Sequence, residues 1–197
     1  MRLLAFSDLH CDKNRARRLV EMSADADVVV AAGDFARMHL GLGKTLQILA
    51  EIERPTIVVP GNNEREAALR SACKRWQSAT VLHGEGTEVD GQRFWGLGYG
   101  VPVTPFPWSA DLTDEQAAPL LADCPPEAVL VVHSPPKGHA DLAWGKHLGS
   151  QAILDAIVDK QPPLALCGHI HEAWGQESAV GHTRIVNLGP TGRFFDL

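Results

Sequence analysis

An α/β fold with a parallel sheet is predicted by three features of the chain. Apolar runs at 3–6, 28–32 and 56–59, of which 28–32 is β-branched and continuously apolar, alternate with stretches of helical periodicity. A short polar cluster follows each run: Asp8 and His10, then Gly33 and Asp34, then Gly61, Asn62, Asn63 and Glu64. Open α/β sheets keep their binding crevice at the carboxyl ends of strands, so Asp, His and Asn in those places point to chemistry.

Taken in order, the strand at 3–6 precedes a helix in which Ala16, Leu19, Val20 and Ser23 share a face. The run 28–32 reads as a buried strand. A helix over 42–53 is expected to stop near Pro55, and the strand 56–59 ends at Pro60 and Gly61. A third helix is expected over 64–76, with Glu64 and Glu66 near the positive end of its dipole, which would point toward the same crevice. The second half differs in character. Strands at 87–89 and 92–97 flank Asp90 and Gly91, the pair favoured in type I′ hairpin turns. Pro102, Pro105 and Pro107 make 99–112 irregular. Thr113 and Gln116 form a capping box for a helix toward Ala122. A strand at 128–132 ends in His133, and Ser150 caps a helix over 151–160 whose Ile153, Ala156 and Ile157 share a face. Further strands are expected at 164–167, 184–188 and 194–197. No repeat, low-complexity tract or linker interrupts the chain, so 1–197 is read as one domain.

With 197 residues, 45% hydrophobic and 21% charged, the composition is that of a globular protein with one buried core. A net charge of −6 argues against broad electrostatic binding to nucleic acid or an anionic membrane, while leaving room for a local cationic site. Cys11, Cys73, Cys124 and Cys167 lack CxxC spacing and read as free thiols in a reducing compartment. No signal-peptide pattern occurs and no apolar run approaches the roughly 20 residues of a membrane span, so a cytoplasmic location is expected.

Asp8 and His10 are two apart, which in extended chain puts both side chains on one side, within reach of one metal. His169 and His171 repeat that spacing after the strand at 164–167. Asp34 has no close partner, which suits a carboxylate bridging two metals through separate oxygens. Asn62 offers a neutral amide oxygen, and His133 stands alone before Ser134, Pro135 and Pro136. Carboxylate, imidazole and amide without thiolate suit two divalent cations and a phosphate better than a structural zinc. Each piece alone arises by chance. The ordered set at strand ends is hard to produce as core or solvated surface.

The order DxH, GD, GNxE, H, GHxH resembles the calcineurin-like metallophosphoesterase superfamily across residues 4–187. The run from His133 through Pro136 to His139 and Asp141, with His147, Gly149 and Ser150 after it, is similar to the compact phosphodiesterase-like branch. The resemblance implies a four-layer α/β/β/α sandwich of two mixed sheets with a dimetal site at one edge. It puts Asp8, His10 and His171 on one metal and Asn62, His133 and His169 on the other, with Asp34 bridging. Asn62, His133 and His147 would also border the substrate. Two divalent ions are the expected cofactor, Mn²⁺ foremost, with Fe, Zn, Mg, Ni or Co as alternatives. The implied activity is hydrolysis of a small phosphodiester or cyclic nucleotide by a metal-bridging hydroxide. The alternatives are a phosphomonoesterase or nucleotide pyrophosphohydrolase on the same site, or a lapsed metal-binding module. A small phosphoester is the expected partner, without bulk nucleic acid or membrane, and the oligomeric state stays open.

One position departs from the pattern. The third residue of GNxE is usually His in the family, where it contacts a substrate oxygen and helps the leaving group depart; here it is Asn63. An amide donates a hydrogen bond but no proton at neutral pH, so poor leaving groups are expected to suffer most. Tolerated substitution and dedicated adaptation both remain open at Asn63. His139 and His147 are candidates for a replacement acid, because imidazole titrates near working pH. His39 is a candidate for the rim. The aromatic and proline-rich segment 99–108 reads as packing over the second sheet, the other reading being a wall for a base or aryl group.

Overall fold

The computed structural model describes residues 1–197. The first half runs β1 (Arg2–Phe6), α1 (Lys13–Ser23), β2 (Val28–Ala31), α2 (Leu42–Leu49), β3 (Thr56–Val58), α3 (Glu66–Cys73) and β4 (Ala79–Val81). The second half runs β5 (Glu85–Val89), β6 (Gln92–Leu97), α4 (Asp114–Ala122), β7 (Val129–Val132), β8 (Leu142–Ala143), β9 (Lys146–His147), α5 (Gln151–Lys160) and β10 (Leu164–Cys167). A 3-10 turn (His171–Ala173), β11 (Glu177–Val180), β12 (Thr183–Asn187) and β13 (Arg193–Asp196) complete the chain. One sheet has the order β13-β1-β2-β3-β4, with β13 antiparallel to β1 and the rest parallel. The other has the order β11-β12-β10-β7-β6-β5, antiparallel at its edges and parallel within.

Side-chain alternation along the strands stacks the layers. Leu3, Ala5, Val28 and Val30 point inward to meet Val129, Val131, Leu166 and Val186 of the opposite sheet. Leu4, Phe6, Val29 and Ala31 point outward against Leu19, Leu46, Leu49 and Leu69 of the α1–α3 layer. Leu130, Val132, Ala165 and Ile185 do the same against Leu121, Ile153 and Ile157 of α4 and α5. Both faces of each central strand are buried, which is why the sequence shows continuous apolar runs there rather than alternation. The result is the four-layer α/β/β/α sandwich of two mixed sheets. No helix is long and apolar enough to cross a membrane.

Local signals are realised closely in the second half. Asp90 and Gly91 take φ of 49° and 81°, as a type I′ turn requires. Thr113 and Gln116 form the capping box, and the Ser150 hydroxyl caps α5 at Ile153. Two helices are shorter than expected. α2 ends at Leu49, after which Ile52 folds into the core and its carbonyl accepts from Trp76 Nε1 and Ser78 Oγ. α3 starts at Glu66, because the Glu64 side chain is used elsewhere. β4, β8, β9 and β11 carried no readable pattern: they are two to four residues long and mostly exposed.

Candidate metal centre

The carboxyl ends of β1, β2 and β3 meet those of β7 and β10 at one edge of the sandwich. Backbone bonds lock the first two loops side by side: Asp8 N–H to Gly33 O at 2.9 Å, His10 N–H to Asp34 O at 2.9 Å, and Cys11 N–H to Phe35 O at 3.1 Å. Four site residues adopt left-handed backbone, with φ of 56° at Asp8, 44° at His10, 61° at Asp34 and 68° at His169. Such conformations cost non-glycine residues about 1–3 kcal/mol each and are characteristic of functional turns held by their surroundings.

Glu64 is the main brace. Its buried carboxylate accepts the N–H groups of Asp34, Ala36 and Gly61 at 2.8, 3.0 and 2.7 Å. This corrects the expectation that Glu64 opens a helix; it holds the Gly33–Asp34 turn instead, and α3 begins two residues later. Burial, reinforced by the Asp34 charge, pushes the Glu64 carboxyl up to about 7. Gly61 is required here, because a Cβ would collide with the Asp34 carboxylate.

Seven side chains converge at this edge. Asp34 divides its oxygens: Oδ2 lies 3.5 Å from His10 Nε2 and Oδ1 lies 3.5 Å from His133 Nε2. Asp8 directs Oδ1 toward His171 Nε2 at 3.8 Å, while its Oδ2 accepts from Ser7 Oγ at 2.5 Å and Trp174 Nε1 at 3.1 Å. The Asn62 Oδ1 atom lies 3.2 Å from both His133 Nε2 and His169 Nδ1. Ligand atoms of Asp8, His10 and His171, and again of Asp8, Asp34 and His133, lie within 4.8 Å of one another.

The donor set fits two divalent cations. His133 Nδ1 lies 2.8 Å from Ala32 O and His10 Nδ1 faces Ala36 O at 3.3 Å, so each ring turns its Nε2 inward. His10 Nε2 then meets His171 Nε2 at 3.0 Å. Acceptors facing acceptors repel unless a cation or proton lies between them. Protein charges show the same demand. Burial alone would raise the Asp34 carboxyl, yet the His133 and His10 rings and the Asn63 N–H hold it well below the usual range. Burial would lower His133, but the Asp34 carboxylate prevails and pushes it up to about 9. Burial and the neighbouring His133 bring His169 down to about 3, keeping its ring neutral and able to ligate.

The Asn62 amide is oriented by residues that the sequence reading did not single out. Ser109 Oγ donates to Asp111 Oδ1 at 2.6 Å, which leaves a lone pair to accept from Asn62 Nδ2 at 2.8 Å. That relay turns Asn62 Oδ1 toward the metal side. Loss of an outer partner of this kind costs about 10–100-fold in metal affinity. Ser109→Ala is therefore expected to weaken binding of one ion by that factor in a calorimetric titration; an unchanged titration would remove Ser109 from the site. Neither Ser109 nor Trp174 sits in a recognisable motif, and both were legible only once the loops were placed.

Asn63 and the loop histidines occupy distinct settings. Asn63 is buried; its backbone N–H donates to Asp34 Oδ1 at 2.8 Å and its Nδ2 to Asp34 Oδ2 at 2.7 Å, while its Oδ1 accepts from Met38 N at 2.8 Å. His147 is exposed on β9, and its Nδ1 pairs at 2.6 Å with Asp141, whose buried carboxylate also accepts from Gly138 N and Gly149 N. His139 is half-buried, and its backbone N–H donates to Pro136 O at 3.1 Å. His39 ties two loops together through Nε2 and Trp108 O at 2.5 Å.

Fold and ligand clusters together have the layout of a two-metal phosphoesterase domain. The calcineurin-like phosphoesterase superfamily domain matches residues 1–196, and the chain belongs to that dimetal-dependent superfamily. A UPF0046 protein of Caenorhabditis elegans is 27% identical over 186 residues, covering 83% of this chain and 62% of its own length, so the chain spans under two thirds of that relative. A solved structure from Thermus thermophilus is 19% identical, covers 96% of this chain and 89% of its own, and has a TM-score of 0.76. A structure described as a novel archaeal phosphodiesterase is 17% identical, covers 96% and 84%, and has a TM-score of 0.58. At these identities the structural likenesses show the fold.

Proposed function

We propose that the chain hydrolyses small phosphodiesters with two divalent ions, Mn²⁺ foremost. The observation that carries this reading is the Asp34 carboxylate, which directs one oxygen to His10 and the other to His133 at 3.5 Å each. Asp8, His10 and His171 would hold one ion, Asn62, His133 and His169 the other, and Asp34 both. Ions bound there supply an ionised water near neutral pH and neutralise phosphate oxygens. The chain's own residues fix the ligands: Glu64 sets the Asp34 turn, Ser7 and Trp174 hold Asp8, and Asn63 clamps Asp34. Asn62 and His133 border the phosphate as well as holding a metal.

Leaving-group preference follows from what Asn63 lacks. With no acid at that position, leaving groups that depart unaided are favoured. His147 is the better placed of the two loop histidines to lend a proton, since the Asp141 carboxylate fixes its Nδ1 and leaves Nε2 outward. His139 lacks such an anchor. The fold shared with a phosphodiesterase supports the same reading, and four unpaired cysteines support a reducing, cytoplasmic setting. The substrate is a small phosphoester, and with a net charge of −6 no bulk nucleic-acid partner is proposed.

The test compares Mn²⁺-loaded protein on bis(4-nitrophenyl) phosphate, 4-nitrophenyl phosphate, a cyclic nucleotide and an alkyl diester. Diesters are expected to exceed monoesters in kcat/KM by at least about tenfold. His147→Ala is expected to lower turnover of the alkyl diester by at least about tenfold, below the 10²–10⁴ range of well-placed acid catalysis, and to spare nitrophenyl esters. Monoester preference overturns the diester reading. No hydrolysis of any ester by metal-loaded protein would favour the lapsed module.

A further inference from the structure

Eight large apolar side chains are exposed, and six of them, Met38, Leu40, Val103, Phe106, Leu142 and Trp144, lie on three segments that frame the metal centre. Single exposed apolar residues are ordinary, but their concentration around one site is not. The 36–40 loop is fixed to the centre through Met38 N to Asn63 Oδ1 and His39 N to Asn63 O. The 99–112 loop is fixed through Asn62 Nδ2 to Ser109 Oγ and Ala110 N to Asn62 O, and it is tied to the first loop by His39 and Trp108. The β8–β9 hairpin packs on the His171 turn through Ala143, Ile170 and Ala173, while Asn187 Nδ2 links Ala140 O to Gly168 O and Ile170 O.

The hairpin tip shows that this exposure is built in. Trp144 and Gly145 form its two-residue turn with φ of 50° and 75°, positions that ordinarily favour Asn and Gly. A tryptophan there accepts left-handed backbone while remaining 82% exposed, and Leu40 on the 36–40 loop is 74% exposed. Neither contributes burial to the core. Phe106 stacks on Trp108 at 5.5 Å between ring centroids, holding the third wall in shape.

We infer that this apolar rim binds a large apolar ester group of the substrate, whose phosphate rests on the metal residues. The inference builds on the phosphodiesterase reading and names its substrate class: phosphoesters carrying a bulky apolar group rather than small hydrophilic ones. A phosphate held at the two-ion site beside Asn62 and His133 would send its ester group out past these three segments, and desolvating apolar surface there adds affinity in proportion to area.

The test separates binding from hydrolysis. Linear alkylphosphonates from methyl to octyl, which cannot be hydrolysed, are titrated into Mn²⁺-loaded protein. The dissociation constant is expected to fall by about two- to fourfold for each methylene that enters the rim. The double variant Leu40→Ser with Trp144→Ser is expected to shrink the octyl-to-methyl affinity ratio at least about tenfold. Affinities equal across the series, or a ratio unaltered in the variant, overturn the inference. A chain-length dependence in a protein that hydrolyses no diester keeps the apolar site and refutes the catalytic reading instead.

Discussion

Asp34→Ala is expected to lose both metal ions and to retain no measurable phosphoesterase activity, whereas Asp8→Ala keeps an ion at Asn62, His133 and His169. The two carboxylates differ in how their oxygens are committed. Asp34 faces His10 with one oxygen and His133 with the other, so its removal takes a ligand from each ion. It also removes the anion shared by two cations at about the 3.5–4 Å separation of two-metal sites, where mutual repulsion is strong. Asp8 turns Oδ1 toward His171, while Ser7 and Trp174 bond its Oδ2, so its removal is expected to take a ligand from one ion. The activity loss in Asp34→Ala should exceed the about 10–100-fold that removal of an outer partner costs. Metal content after gel filtration and activity on bis(4-nitrophenyl) phosphate check the pair. Two ions retained in Asp34→Ala with near-native turnover would remove the bridging role.

The second large effect is expected at Asn63. Asn63→Leu keeps the backbone N–H that donates to Asp34 Oδ1 but deletes the Nδ2 bond to Oδ2 and leaves Met38 N without its acceptor. Metal affinity is expected to fall about 10–100-fold, and thermal stability to drop with the buried donor left unpaired. Asn63→His separates positioning from acid catalysis. If the amide serves to hold Asp34, the imidazole variant binds metal more weakly and gains nothing on alkyl esters. A gain of at least about tenfold on alkyl esters alone, with two ions bound, would instead identify Asn63 as a missing acid.

The strands and their terminal clusters were legible because burial on both faces forces continuous apolar runs, and the loops after them carry polar residues with no packing purpose. Caps and turns at Thr113, Ser150 and Asp90–Gly91 were legible because their chemistry is local. What escaped the sequence was long-range. Glu64 looks like a helix-opening acid, and only the approach of the Gly33–Asp34 loop gives it three backbone donors to bind. Ser109, Asp111 and Trp174 reach the site from loops whose course no periodicity encodes. Asn63 stood out as a departure from the family pattern, but its clamp on Asp34 needed the folded geometry to be seen.

Anomalous diffraction from crystals grown with Mn²⁺ addresses the two-metal centre most directly. Two peaks are expected, about 3.5–4 Å apart, one ligated by Asp8, His10 and His171 and the other by Asn62, His133 and His169, with Asp34 touching both. A single peak, or two peaks of which only one contacts Asp34, would contradict the centre described.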